Sequence, residues 1–183
     1  MSLYQTALDE LGGTFARLDD SAVDALVERL ALAQRIVVFG GGREKLQIMG
    51  FAMRLFHMGL NAAVEGDMTT PAVGRGDVFL VTCGPGYIST AEALMRVARQ
   101  AGAEVLFITA QPSGRCAPLA DLVLHLPAQT MADDLGDRKT SVLPMGSLFE
   151  GALFVLFEVM VLKLKARLNI SADAMRANHT NLE

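Results

Sequence analysis

Two glycine-rich stretches hold most of the residues in this chain that could bind a ligand. The first is Gly40-Gly41-Gly42-Arg43-Glu44-Lys45, and the second is Cys83-Gly84-Pro85-Gly86-Tyr87-Ile88-Ser89-Thr90. Glycines at such places allow a tight turn and a close backbone approach to a bound group. A helix opening behind the second loop would present free N–H groups and a dipole that favour an anion, with Ser89 and Thr90 adding hydroxyl donors. The same residues also serve a plain strand-to-helix turn. The first loop approaches a dinucleotide fingerprint, but Lys45 stands where the third glycine of G-x-G-x-x-G should be, and no G-K-S/T loop occurs anywhere. No NAD, FAD or other cofactor is therefore expected.

Three further residue types bear on proton transfer or nucleophilic chemistry. Glu150 sits in an apolar helical pattern, where burial would raise its pKa toward the range useful for moving protons; an acid complementing the dipole of a first helical turn is the other reading. His179 lies in a polar closing segment, residues 176–183, that has no core to fill, whereas His57 and His125 fall in a predicted helix and strand and read as structural. Cys83 at a helix start could be a nucleophile, yet no histidine stands near it in sequence, which favours a small packed thiol. With Cys116 it makes two cysteines, too few for a disulfide framework, and no pair of ligands has zinc-site spacing, so no metal is expected.

The elements that must position these residues follow from hydrophobic periodicity. Two amphipathic helices open the chain, the second over residues 21–33, with Ser21 and Asp24 spaced as an S-x-x-D capping box and Val23, Leu26, Val27 and Leu30 on one face. Short β-branched or apolar runs at residues 35–39, 61–64, 78–82, 104–109 and 122–126 predict five strands, with helices predicted at 44–58 and at 88–100, the latter closed by Gly102. Strands apolar on both faces and alternating with helices imply a parallel sheet covered on both sides. The expected fold is α/β, a three-layer αβα sandwich with a five-stranded flavodoxin-like sheet of order 2-1-3-4-5. In that order the chain leaves the first and third strands in opposite directions and opens a crevice at their carboxyl ends, where both loops land. A polar linker at 128–142 leads to a helix at 144–167 that is apolar nearly all round, as expected for one packed on the sheet and against a second copy of the chain. One domain results, with opening helices at 1–33, an α/β core at 35–127 and a closing helix and tail at 144–183.

Composition narrows the function. A net charge of −4 opposes a nucleic-acid surface, and the only dense basic group, Lys163, Lys165 and Arg167, suits the end of a helix. The opening MSLYQTALDELGG has no basic stretch before an apolar core, and the longest apolar run is too short for a membrane span, so a cytoplasmic protein without membrane contact is expected.

Together, Val38-Phe-Gly-Gly-Gly-Arg43, Gly50-Phe-Ala-Met-Arg-Leu-Phe-His-Met-Gly59, residues 77–90, Leu143-Pro-Met-Gly-Ser-Leu-Phe-Glu150 and Asn178-His-Thr-Asn-Leu-Glu183 resemble the sugar-isomerase (SIS) domain family, in particular the 6-phospho-3-hexuloisomerases. The resemblance runs in order along essentially the whole chain. It implies a phosphosugar or sugar-derivative aldose–ketose isomerase acting through an enediol, with Glu150 and His179 as acid–base residues and His179 reaching a neighbouring subunit's site. It also implies a sugar or sugar-phosphate ligand cradled by Gly41, Gly42, Arg43 and Glu44 with Cys83, Gly84, Pro85, Gly86, Tyr87, Ser89 and Thr90, and a homodimer or homotetramer.

The loops depart from the family's G-x-G-R-S-G and S-G-S-G-E-T. Glu44 and Lys45 replace a serine and a glycine, Cys83 and Pro85 replace two serines, and Tyr87 and Ile88 replace the acid and the threonine. Loss of these hydroxyls weakens the case for phosphate and makes a carbohydrate-binding or sensing protein without turnover the competing reading.

Overall fold

A computed structural model describes residues 2–182; Met1 and Glu183, the last residue of the closing motif, lie outside the described residues. Helices α1 (Leu3–Ala16) and α2 (Asp20–Leu32) precede β1 (Ile36–Gly40), α3 (Glu44–His57), β2 (Ala62–Val64), β3 (Val78–Thr82), α4 (Ser89–Ala101), β4 (Glu104–Thr109) and β5 (Leu122–His125), and α5 (Ser147–Leu168) and α6 (Ala172–Ala177) close the chain. All neighbouring strands pair in parallel, in the order β2-β1-β3-β4-β5. This is the expected α/β sheet.

Alternation along each strand divides the core into two layers. Ile36, Val38, Val78, Leu80, Leu106 and Ile108 face one side, where α2, α3 and α5 supply Leu26, Leu30, Ile48, Phe51, Leu153 and Phe157. Val37, Phe39, Phe79, Val81, Val105 and Phe107 face the other, covered by Ala91, Met95 and Ala98 of α4. Right-handed crossovers from β1 and β3 therefore run on opposite faces, and the crevice opens between those strands.

The capping box expected at Ser21 and Asp24 is not formed. Asp19 caps α2 instead, its carboxylate accepting from the Ser21 N–H at 3.0 Å and the Ser21 hydroxyl at 2.6 Å, so the helix starts earlier. Asp24 turns to α5, where Lys163 Nζ lies 2.6 Å from it and 2.8 Å from Asp20, and Arg167 pairs with Glu28 at 2.7 Å. Acids spaced one turn apart on α2 thus meet cations spaced one turn apart on α5, a role beyond the dipole complement expected for the basic cluster.

Phe51 of α3 and Phe157 of α5 stack with ring centroids 4.6 Å apart at 9°, both almost fully buried. This contact fixes α5 against α3 and so fixes Glu150, at the start of α5, over the first loop. Phe157→Ala should cost about 3–5 kcal/mol of unfolding free energy, because it leaves a cavity opposite a ring that cannot collapse into it; urea denaturation would read this as a lower midpoint at unchanged slope.

Candidate functional site

The first loop is built by glycine. A Cβ on Gly40 would fall 2.8 Å from Thr82 Oγ1 and 2.9 Å from the Lys45 backbone nitrogen, and Gly42 has φ +54°. Only glycine turns β1 into α3 this tightly. The turn consumes the amides that open α3: Glu44 N–H donates to Gly41 O, Lys45 N–H to Gly42 O and Leu46 N–H to Arg43 O.

In the second loop, Gly84 O accepts from Ala110 N–H and Thr109 Oγ1, and Gly86 N–H donates to Cys83 O. Pro85 has no N–H. Gly84 N–H bonds Glu44 Oε1 at 2.9 Å across the crevice.

Between the loops lies a cleft of about 170 Å³, lined by Gly41, Gly42, Arg43, Glu44, Pro85, Ile88, Thr130, Met131, Gly146, Phe149 and Glu150. A larger groove of about 270 Å³ between α1, α2 and α5 is walled by Phe15, Leu18, Val23, Val155, Leu156 and Val159 with Asp20 at its side. It has no convergent polar groups, whereas the smaller cleft gathers Arg43, Glu44 and Glu150. Glu150 enters that cleft as expected, and Arg43 Nε stands 2.8 Å from its Oε2; the Arg43 side chain is 71% exposed and that of Glu150 is 13% exposed. Such an exposed guanidinium contributes little to stability and can exchange its partner for a ligand.

Several candidates stand outside the cleft. Cys83 is fully buried beneath the second loop, and burial, reinforced by the negative charge of Glu44, pushes its thiol up to about 12. It is a packed thiol. Gly86 packs on Gln111 and Gly114, Tyr87 carries the Arg115 guanidinium 4.7 Å above its ring, and Ser89 and Thr90 are exposed at the start of α4 without lining the cleft.

His179 is farther away still. Its ring stacks on His57 with centroids 4.9 Å apart, its Nδ1 lies 3.0 Å from Thr180 O, and Asn178 Nδ2 donates to His57 O. His57 ends the fourteen-residue α3 and Glu44 begins it, so about 20 Å of helix separates the two ends. Within one chain, Glu150 and His179 do not meet.

Five lining residues were not expected as site residues, one of them Ile88 of the second loop itself. Gly146 and Phe149 belong to a motif whose glutamate was recognised. Thr130 and Met131 lie in the stretch read as a polar linker, which packs instead: Gln129 Oε1 accepts from Thr140 and Ser141 N–H, and Glu10 of α1 accepts from Ser141 Oγ and Val142 N–H. Polar side chains satisfying a loop's backbone look like solvated residues in a sequence, so nothing local marked them.

Glu44 is 8% exposed, and its Oε2 and Thr82 Oγ1 both lack an aligned hydrogen-bond partner. Burial raises the Glu44 carboxyl from 4.5 to about 7, opposed by the Gly84 N–H and the nearby Thr82 hydroxyl and helped by the charge of Glu150. The folded protein therefore binds a proton that the unfolded chain has already lost between these values. Stability should fall as pH rises from about 4.5 to about 7, by a total on the order of 3 kcal/mol from this group. Thermal unfolding of Glu44→Gln beside the parent should show that loss in the parent and lack it in the variant.

No protein-family model matches the chain. It is 37% identical over 175 residues to a 3-hexulose-6-phosphate isomerase of Mycobacterium gastri, covering 96% of this chain and 87% of that protein. To the 3-hexulose-6-phosphate isomerase of Bacillus subtilis it is 31% identical over 176 residues, covering 96% and 95%. A crystal structure from Methanococcus jannaschii, whose inferred function is that of a 3-hexulose-6-phosphate isomerase, superimposes with a TM-score of 0.83 at 25% identity, covering 96% of this chain and 98% of that one. Likeness at this level along nearly the full length of both chains, on the expected fold, places the protein in the 3-hexulose-6-phosphate isomerase family of SIS-domain proteins.

Proposed function

We propose that the chain isomerises a phosphosugar through an enediol in the cleft between its two glycine loops. The observation that carries this reading is Glu150, a largely covered carboxylate held at the cleft by an exposed arginine, in a chain homologous from end to end to named isomerases. The reaction needs a base that takes a proton from the carbon beside a carbonyl and returns it to the neighbouring carbon, while hydroxyl and carbonyl oxygens exchange a proton. Glu150 is placed for the carbon-bound proton and Arg43 for the negative charge that develops on oxygen. No metal or cofactor is required for this exchange.

His179 serves the oxygen-bound proton in this proposal, and its distance from Glu150 within one chain requires a neighbouring copy. An exposed apolar strip supports assembly: Leu46, Met53 and Phe56 of α3 lie exposed beside Phe154 and Leu162 of α5. The expected homo-oligomer, a dimer or tetramer, would cover it.

A second reading, a SIS-fold protein that senses a sugar without converting it, draws on the crevice filling. The Ile88 side chain lies directly against Gly41, and Glu44 occupies the Gly84 amide.

Glu150→Gln should lower turnover of a hexulose 6-phosphate by about 100-fold or more with unchanged thermal unfolding. Coexpression of Glu150→Gln with His179→Ala should restore activity well above either variant alone, because mixed oligomers contain sites with both groups intact. Failure to recover would remove His179 from the neighbour's site, and ligand-raised melting without turnover would establish the sensing reading.

A further inference from the structure

Glu44 occupies the space that an anion would need. Several amides around the crevice are engaged: Glu44, Lys45 and Leu46 N–H bond back to the first loop, Gly86 N–H bonds Cys83 O, and Pro85 has none. The Gly84 N–H, pointing across from the second loop, meets Glu44 Oε1. The second oxygen of that carboxyl is buried without an aligned partner, beside a Thr82 hydroxyl in the same condition. A group carrying several oxygens, such as a phosphate, could use both donors; a single carboxylate uses one well. The position is sterically closed, since a Cβ on Gly84 would come within 3.1 Å of Glu44 Oε1 and within 3.0 Å of Phe149 and Thr130 side-chain carbons.

We propose that Glu44 is the specificity-determining residue of the cleft: its carboxylate is a resident anion in the cradle between the loops, excluding a dianionic group when ionised and admitting one when neutral. This rests on the cleft being the substrate site. A neutral carboxyl can rotate away and donate its O–H to the incoming oxygen, whereas an ionised one adds like-charge repulsion in a largely dehydrated space.

The groups facing Glu44 support this. From α5 comes Glu150, already engaged by Arg43; from β3 and its loop come the Thr82 hydroxyl and Cys83, whose thiol stays neutral with its pKa near 12; and on α3 itself Lys45 turns away to Glu65 O at 2.9 Å. No cation on these elements is directed at the Glu44 carboxyl, so its own protonation decides the local charge. With its pKa near 7, both forms are populated at neutrality. Phosphosugar binding is then favoured on the acid side and an uncharged sugar segment on the alkaline side.

Sulfate tests this, since it stays a dianion across the relevant pH range and any dependence belongs to the protein. Calorimetric titration of the whole protein with sulfate should show affinity falling about tenfold from about pH 6 to about pH 8, as the competent neutral fraction falls. Glu44→Gln and Glu44→Ser should bind sulfate with a flat profile, at least as tightly as the parent at the acid end, with thermal unfolding confirming that each is folded. Parent affinity independent of pH, the same slope in both variants, or no sulfate binding by any form would overturn the assignment.

Hexulose 6-phosphate turnover, followed in parallel, separates this from the isomerase reading. Turnover without the sulfate pattern sinks the role of Glu44 and leaves the isomerase, while the sulfate pattern without turnover does the reverse.

Discussion

Everything at the candidate site depends on a sheet that must be buried on both faces while its two central strands part company. β1 and β3 are neighbours, paired from Ile36 with Val78 to Gly40 with Thr82, and every residue of both is buried. The chain after β1 must cover one face and the chain after β3 the other, because each layer of alternating side chains needs its own helices. The loops therefore diverge, and the gap between them is a consequence of covering the core. Gly40 shows how narrow the tolerance is, since a single methyl there would meet the neighbouring strand's Thr82 and the opening turn of α3 at once.

Into that gap the chain places two carboxyls in unequal surroundings. Glu150 lies beside an arginine that is mostly in solvent, and Glu44 lies almost fully covered, with one backbone amide and an unaligned hydroxyl for company. Desolvation favours the neutral form of the covered Glu44, while Glu150 has the Arg43 guanidinium beside it, so the two carboxyls of one small cleft lie in different electrostatic surroundings. This division needs no additional residue, and it arises from which carboxyl the sheet and α5 enclose.

α5 links the cleft to assembly. Its buried side holds α3 through Phe51 and Phe157 and holds α2 through Lys163 and Arg167, while Phe154 and Leu162 remain exposed. The closing segment folds back on the far end of α3, where His179 stacks on His57. A residue whose motif lies at the chain's end is thus held at the opposite end of the helix from the cleft it was expected to serve. The separation turns the acid–base pairing into a question about neighbouring copies.

Much of this was legible from residue order alone. Strand burial on both faces, glycine at the turns and helical periodicity are local properties, so the sheet order, the position of the crevice and the loop residues Arg43 and Glu44 beside it could be read directly, while only the family resemblance ties Glu150 to the site. Spacing also carried the family resemblance. What residue order could not supply was direction and distance. Asp24 fits a capping box by spacing but serves Lys163, because a cap competes with partners on other helices that spacing does not reveal. Thr130 and Met131 line the cleft from a stretch that reads as solvated linker, and Ser89 and Thr90 sit in the right loop yet face outward. Glu44 reads in sequence as an acid standing where the family has a serine; only the fold shows it bonded to Gly84 N–H and dehydrated enough to take up a proton near neutrality. Burial and cross-strand hydrogen bonding are properties of the packed chain, so ionisation at the site was decided by tertiary structure.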